Sequence, residues 1–258
     1  MLPALLAGGF LSAQHLAADT PHWPGSLSEF TDGKLACIAI YSETDDLYLV
    51  SNLPQCQQQM APCSTFKVPN ALIGLESGVL SGASDTKEWD GTVREREVLN
   101  QDHDLASALK YSVVWYFQDV AVQIGPQRMQ AALDAYDYGN RDISGGQDNF
   151  WLSSSLKISA LEQVEFMRSL ANNELPASVE NQEIVKATMH QDYSLPDGFD
   201  GELYGKTGTC RGPANHAWFT GFVQRDEKRY VFAVNLLGET ERSWDARSMI
   251  IEVLQALR

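Results

Sequence analysis

Apolar residues recur along this chain in two rhythms. Short apolar or alternating runs occupy 34–42 and 46–51 near the start and 202–208, 217–224 and 230–237 near the end. Runs of that length and period predict strands. The polar link Arg225-Asp226-Glu227-Lys228-Arg229 predicts a hairpin turn between the last two. The middle of the chain follows a helical period instead. Phe66, Ala71, Leu72 and Leu75 share one face of a helix predicted over 65–80 and closing at Gly78. Further helices are predicted over 104–124, 126–136, 159–172 and 178–189, with Ser178 as an entry cap and Asn172-Asn173 as an exit. A last helix over 245–257 carries Ile250, Ile251, Leu254 and Leu257 on one stripe.

The pattern predicts an α+β fold. An antiparallel sheet built from both chain ends, with flanking helices, receives an inserted, mainly helical region. One catalytic unit over 19–258 is expected, its sheet part about 19–63 and 199–258 and its helical part about 64–198. A cleft is expected where the two parts meet.

Charge narrows the class of ligand. Against 19 basic residues stand 34 acidic ones, a net charge of −15. No run of Lys or Arg exceeds two. That is the wrong sign for a nucleic acid, and an anionic ligand needs a local cationic pocket. Residues 1–18 stand apart as a signal-like segment. An apolar stretch over 2–11 precedes small residues ending in Leu16-Ala17-Ala18, without a basic leader. The expected location is periplasmic or secreted. The stretch is too short to span a membrane, and no other approaches that length. Nothing in the sequence sets an oligomeric state.

Cys37, Cys56, Cys63 and Cys210 have no zinc spacing, and the histidines show none either, so no metal is expected. Cys56 and Cys63 flank a short polar segment and are expected to form a disulfide.

Candidate chemistry begins at Pro62-Cys63-Ser64-Thr65-Phe66-Lys67. A serine at a helix start meets free backbone N–H groups that favour an oxyanion. A lysine three residues on lies on the same face as a candidate base, among the apolar Phe66, Val68 and Pro69. The second signal is Lys206-Thr207-Gly208-Thr209 at a strand end, offering a cation, a hydroxyl and closely approachable backbone. Ser112-Val113-Val114, Tyr138-Gly139-Asn140 and Phe150-Trp151-Leu152 are weaker alone.

In this order and spacing, Ser-Thr-Phe-Lys, Ser-x-Val, Tyr-Gly-Asn, Trp-Leu and Lys-Thr-Gly resemble the class D serine β-lactamases, the oxacillinase group. The similarity extends through 66–76, Ile143-Ser144-Gly145-Gly146 and Ile158-Ser159-Ala160, covering about residues 25–258. The resemblance implies a β-lactam substrate and the roles that follow. Ser64 is the acylated nucleophile and Lys67 the general base, carried in this family as a carbamate made with CO₂ or bicarbonate. Ser112 relays protons to the lactam nitrogen, and Trp151 donates its indole N–H to the carbamate. Val114 and Leu152 form an apolar cover. The N–H groups of Ser64 and Thr209 make the oxyanion hole. Lys206, Thr207 and Gly208 line the substrate's place, and Lys206, Thr207 and Arg247 hold its carboxylate, with Arg242 and Arg211 as competitors for the arginine's part. Tyr138 and Asn140 shape the neighbouring loop. No cofactor beyond CO₂ is implied.

A class A enzyme needs Ser-Asp-Asn and a separate glutamate. Here the middle motif ends in Val114, and the loop 147–155 holds Asp148 but no Glu. A β-lactam-sensing domain that stays acylated, expected to follow membrane helices, and a D,D-peptidase acting on cell-wall peptides are the alternatives.

Overall fold

The computed structural model describes residues 26–191, 195–212 and 215–257, so the signal-like segment lies outside the described residues. Five antiparallel strands form the main sheet in the order β2-β1-β7-β6-β5. They are β1 (Ala36–Ser42), β2 (Leu47–Val50), β5 (Glu202–Cys210), β6 (His216–Arg225) and β7 (Lys228–Leu237). The chain's two ends therefore meet where β1 pairs with β7, Ile38 opposite Val234. The polar link 225–229 forms a tight hairpin with Asp226 at φ 48°.

Period two explains why the central strands are apolar on both faces. Ile38, Ile40, Phe219, Phe232 and Val234 point to one side, where α8 (Ser243–Ala256) buries Ile250 and Leu254 against them. Cys37, Ala39, Trp218, Val231 and Ala233 point to the other and join the larger core. That second face is covered by α6 (Ala160–Ala171). The sequence division assigns α6 to the helical part, but its buried Val164, Met167 and Leu170 pack it on the sheet.

Helix α1 (Leu53–Gln57) packs on β1 and α6, while α2 (Lys67–Glu76), α3 (Leu105–Tyr111), α4 (Val114–Ile124), α5 (Pro126–Ala135) and α7 (Val179–Thr188) form the other side of the cleft. A short ribbon of β3 (Thr86–Lys87) and β4 (His103–Asp104), not foreseen from the sequence, precedes α3.

The helix predicted over 104–124 is two helices. Ser112 takes the left-handed conformation (φ 58°, ψ 46°) and ends α3. The Val113 N–H then reaches back to the Ala108 carbonyl at 2.8 Å, the closing bond of a Schellman cap. The apolar rhythm runs on through Val113, so periodicity conceals the break.

The disulfide expected between Cys56 and Cys63 is not formed. Cys56 bonds Cys37, and Cys63 bonds Cys210. Helix α1 packs on β1 and turns Cys56 toward the sheet. Beyond it, Met60 bridges to Ile158, so the chain arrives at Cys63 facing the end of β5 instead.

Candidate active site

Ser64 lies in a 3-10 turn, Cys63–Phe66, that leads directly into α2. It is half-buried, while 60–63 and 65–75 are buried around it. The turn is braced from within: the Thr65 hydroxyl donates to the Pro62 carbonyl at 2.8 Å, and Gln163 of α6 donates to that hydroxyl at 2.8 Å. Cys63 enters at φ 47°, a left-handed conformation that a side chain rarely adopts and that surrounding structure must hold. Its N–H donates to the Trp151 carbonyl at 3.0 Å.

Lys67, the first residue of α2, donates from Nζ to Ser64 Oγ at 2.8 Å. The side chain is wholly buried, with the Phe117 ring 5.8 Å from Nζ. Burial, and then the charge of Lys206, hold the amine well below the usual lysine range. Phe117 is fixed from α2 itself, since Asn70 donates to its carbonyl at 3.0 Å. Trp151 is fully buried and stacks on Phe66, ring centres 5.4 Å apart. Its indole N–H has no hydrogen-bond partner among the described residues. A buried donor left without an acceptor is costly and points to a group the protein alone does not supply.

On the opposite wall, Lys206 Nζ donates to Ser112 Oγ at 3.0 Å and to the Thr207 carbonyl at 2.9 Å. Burial, and then Arg96, push this lysine down to about 7. The helix break puts Ser112 within reach, presenting it from a turn rather than along a helix face.

The outer edge of β5 presents the Thr209 N–H that the resemblance assigns as an oxyanion donor. Gly205 N–H bonds the Met189 carbonyl and the Leu203 carbonyl accepts from Gln191 N–H, both away from β6. Period two places the N–H groups of Thr207 and Thr209 on that same outer edge. Gly208 permits the approach: a Cβ there would lie 3.0 Å from the Pro62 carbonyl and 3.3 Å from Thr65 N. The edge of β5 thus runs against the turn that holds Ser64.

Other predicted residues fall around this centre. Val114 opens α4 and Leu152 packs on the core, both half-buried. Tyr138 is buried edge-on against Phe66. Asn140 ties its loop to 155–157, donating to the Ser155 carbonyl and accepting from Lys157 N–H at 2.9 Å each. Arg247 is buried on α8, with its guanidinium 5.1 Å from the Trp244 ring and its Nε donating to Gln191 Oε1 at 3.3 Å. Gln191 in turn donates to the Gly205 carbonyl at 3.1 Å and lines a cavity of about 370 Å³ with Lys206, Thr207 and Tyr111. Arg247 therefore reaches a lining residue rather than lining the cavity itself.

Sequence reasoning missed Gln191, Phe117 and Arg96, which carry no motif. It also missed the pairing of Cys63 with Cys210, although each adjoins a motif residue. Both sulfurs lie within 4.8 Å of a ring nitrogen of His216, but they are joined to each other.

Ser64 with the buried Lys67, and Ser112 with Lys206 of β5, make two facing serine–lysine pairs, an arrangement of the penicillin-binding-protein class. The penicillin binding protein transpeptidase domain matches residues 36–250. The probable beta-lactamase YbxI of Bacillus subtilis (strain 168) is 42% identical over 210 residues, 81% of this chain and 76% of that protein. A crystal structure of a class D beta-lactamase from Bacillus subtilis superposes with TM-score 0.83 at 38% identity, covering 90% of this chain and 94% of that one. The regulatory protein BlaR1 of Bacillus licheniformis is 34% identical over 93% of this chain, which spans 41% of that protein. The chain belongs to the class D serine β-lactamases, a family of hydrolases.

Proposed function

We propose that this protein opens β-lactam rings by acyl transfer to Ser64 and then to water. One observation carries the reading: Ser64 Oγ accepts from a wholly buried Lys67 whose burial favours the neutral amine. A neutral amine can take the hydroxyl proton as Oγ attacks the lactam carbonyl. The carbonyl oxygen, becoming an oxyanion, is met by the N–H groups of Ser64 and Thr209. Ser112, hydrogen-bonded to Lys206, gives its proton to the lactam nitrogen as the bond to the carbonyl carbon breaks, and it takes up in turn the proton that Lys67 removed from Ser64. Lys206 and Thr207 hold the substrate carboxylate at the cavity, and Arg247 supports that wall through Gln191.

The residues present also fit a carbamate on Lys67. A neutral Nζ is the form that adds CO₂, and the unpartnered Trp151 N–H is a donor suited to the resulting anion. Such a group would supply a base for both acylation and deacylation, with no second carboxylate required. The two disulfides suit an oxidising compartment, which supports the reading of a periplasmic or secreted protein. No helix among the described residues is long and apolar enough to cross a membrane.

Similarity to BlaR1 favours a second reading, in which the acyl-enzyme persists. Intact mass measured after mixing with a penicillin separates the two. An adduct on Ser64 that clears within seconds supports hydrolysis, one lasting hours supports sensing, and no adduct rejects both. For the carbamate, ¹³C NMR with labelled bicarbonate is expected to show a Lys67 signal that Trp151→Phe weakens. Absence of that signal, together with indifference of kcat to bicarbonate at mildly acid pH, leaves Lys67 a plain amine base.

A further inference from the structure

The two donors assigned to the oxyanion hole belong to different parts of the molecule. Ser64 comes from the turn before α2, and Thr209 from the outer edge of β5. Each stands one residue from a sulfur of the same disulfide, because Cys63 precedes Ser64 and Cys210 follows Thr209. We propose that the Cys63–Cys210 disulfide is a positioning element, fixing the Thr209 N–H against Ser64. This rests on the acyl-enzyme reading above.

Three observations converge on it. The first half of the outer edge of β5 is held by backbone bonds to Met189 and Gln191, whereas its second half faces the nucleophile's turn. There Thr209 lies between two joins: Gly208, where any Cβ would press on Pro62 and Thr65, and Cys210, bonded to Cys63. Cys63 also holds a left-handed backbone that must be fixed from outside, and the disulfide and the bond to the Trp151 carbonyl do so. Next to these, the Ala61 carbonyl accepts from the His216 ring at 2.8 Å and from the Trp218 indole at 2.9 Å. The approach to Ser64 is thereby anchored to β6 as well. Two hydrogen bonds, one close backbone contact and one covalent bond thus set the spacing of the two donors.

A role in stability alone is the competing account. Closing a loop between residues 147 apart restrains the unfolded chain strongly, so lower thermal stability proves nothing about the hole. The test must read the tetrahedral state separately from ordinary binding. A boronate inhibitor serves, since its tetrahedral oxygen occupies the hole, while a hydrolysed penicillin reports carboxylate binding only.

The double variant C63A/C210A is compared with C37A/C56A and with wild type. We expect C63A/C210A to lose about tenfold or more in the acylation rate constant and in boronate affinity, against the 10²–10³ of a donor removed outright. Affinity for hydrolysed penicillin is expected to stay unchanged. C37A/C56A, which opens the bond between α1 and β1, should lower Tm while leaving all three quantities at wild-type values. If C63A/C210A does not fold, wild type reduced with a phosphine until Cys63 can be alkylated is measured in the same way. Acylation at the wild-type rate overturns the proposal, and so does equal loss of boronate and penicilloate binding. Wild type forming no adduct on Ser64 overturns the acyl-enzyme reading itself, and the proposal with it.

Discussion

The site holds two buried lysines, and the contrast between them shows how one physical effect serves two purposes. Lys67 and Lys206 are both withdrawn from water, and desolvation is the main cause of the lowered pKa in each. Lys67 sits among Phe66, Val68 and Phe117 and donates to a neutral hydroxyl, that of Ser64. Its amine is held toward the neutral form. Lys206 keeps a carbonyl and a hydroxyl as acceptors and opens onto a cavity. Held at about 7, it can carry a proton when an anion arrives. Charge on Lys206 disfavours charge on Lys67, which leaves the neutral amine in the apolar wall and the cation at the cavity.

Removing each lysine should therefore break different steps. Lys67→Ala deletes the base, and kcat is expected to fall by about 10²–10⁴. Because the serine and the oxyanion hole remain, any adduct that forms on Ser64 should accumulate instead of clearing. Intact mass over time checks this, and normal turnover by Lys67→Ala would remove the lysine from the mechanism altogether.

On the proposed role of Lys206, Lys206→Ala should remove one charge-assisted contact to the substrate carboxylate, about 1.5–3 kcal/mol, or some ten- to hundredfold in kcat/KM. The loss should be specific for the anion. A penicillin and its methyl ester, assayed side by side, should differ strongly with wild type and little with the variant. An equal loss for both would mean that Lys206 acts through Ser112 instead.

How much of this contrast was legible in the sequence differs by element. The strands of β1, β6 and β7 were plain because their apolar runs are short and bounded by turns. Lys67 and Lys206 were plain because each sits in a motif of fixed spacing. What escaped is what depends on distant packing. Periodicity cannot register a left-handed Ser112, since a single residue's φ leaves the apolar rhythm intact. Cys56 and Cys63 are close in sequence, yet α1 and the bridge of Met60 to Ile158 aim them apart. Phe117 and Gln191 matter only through what the fold sets beside them, and neither residue type advertises a role. Arg247 follows from the resemblance and the need for a cation, but its partner Gln191 is invisible without the packing of α8 against the sheet.

The pH dependence of the reaction sets the two lysines against each other without any mutation. Lys67 works when deprotonated, so kcat should fall as acid protonates it, and the low-pH limb should soften when bicarbonate is added. Lys206 works when protonated, so its contribution is present below about 7 and lost as pH rises through that value in the free enzyme. A bound carboxylate favours the charged form and raises the pKa in the complex. The alkaline limb should therefore appear in kcat/KM, which reports the free enzyme, and be displaced upward in kcat, which reports the complex. Between pH 6 and 8 a group of pKa near 7 loses about nine-tenths of its protonated form, so KM should rise roughly tenfold over that window. Steady-state profiles for a penicillin from pH 5 to 9 decide it. A KM that stays flat across pH 6–8, or kcat and kcat/KM falling together, would separate Lys206 from recognition of the carboxylate. The amine would then serve Ser112 alone.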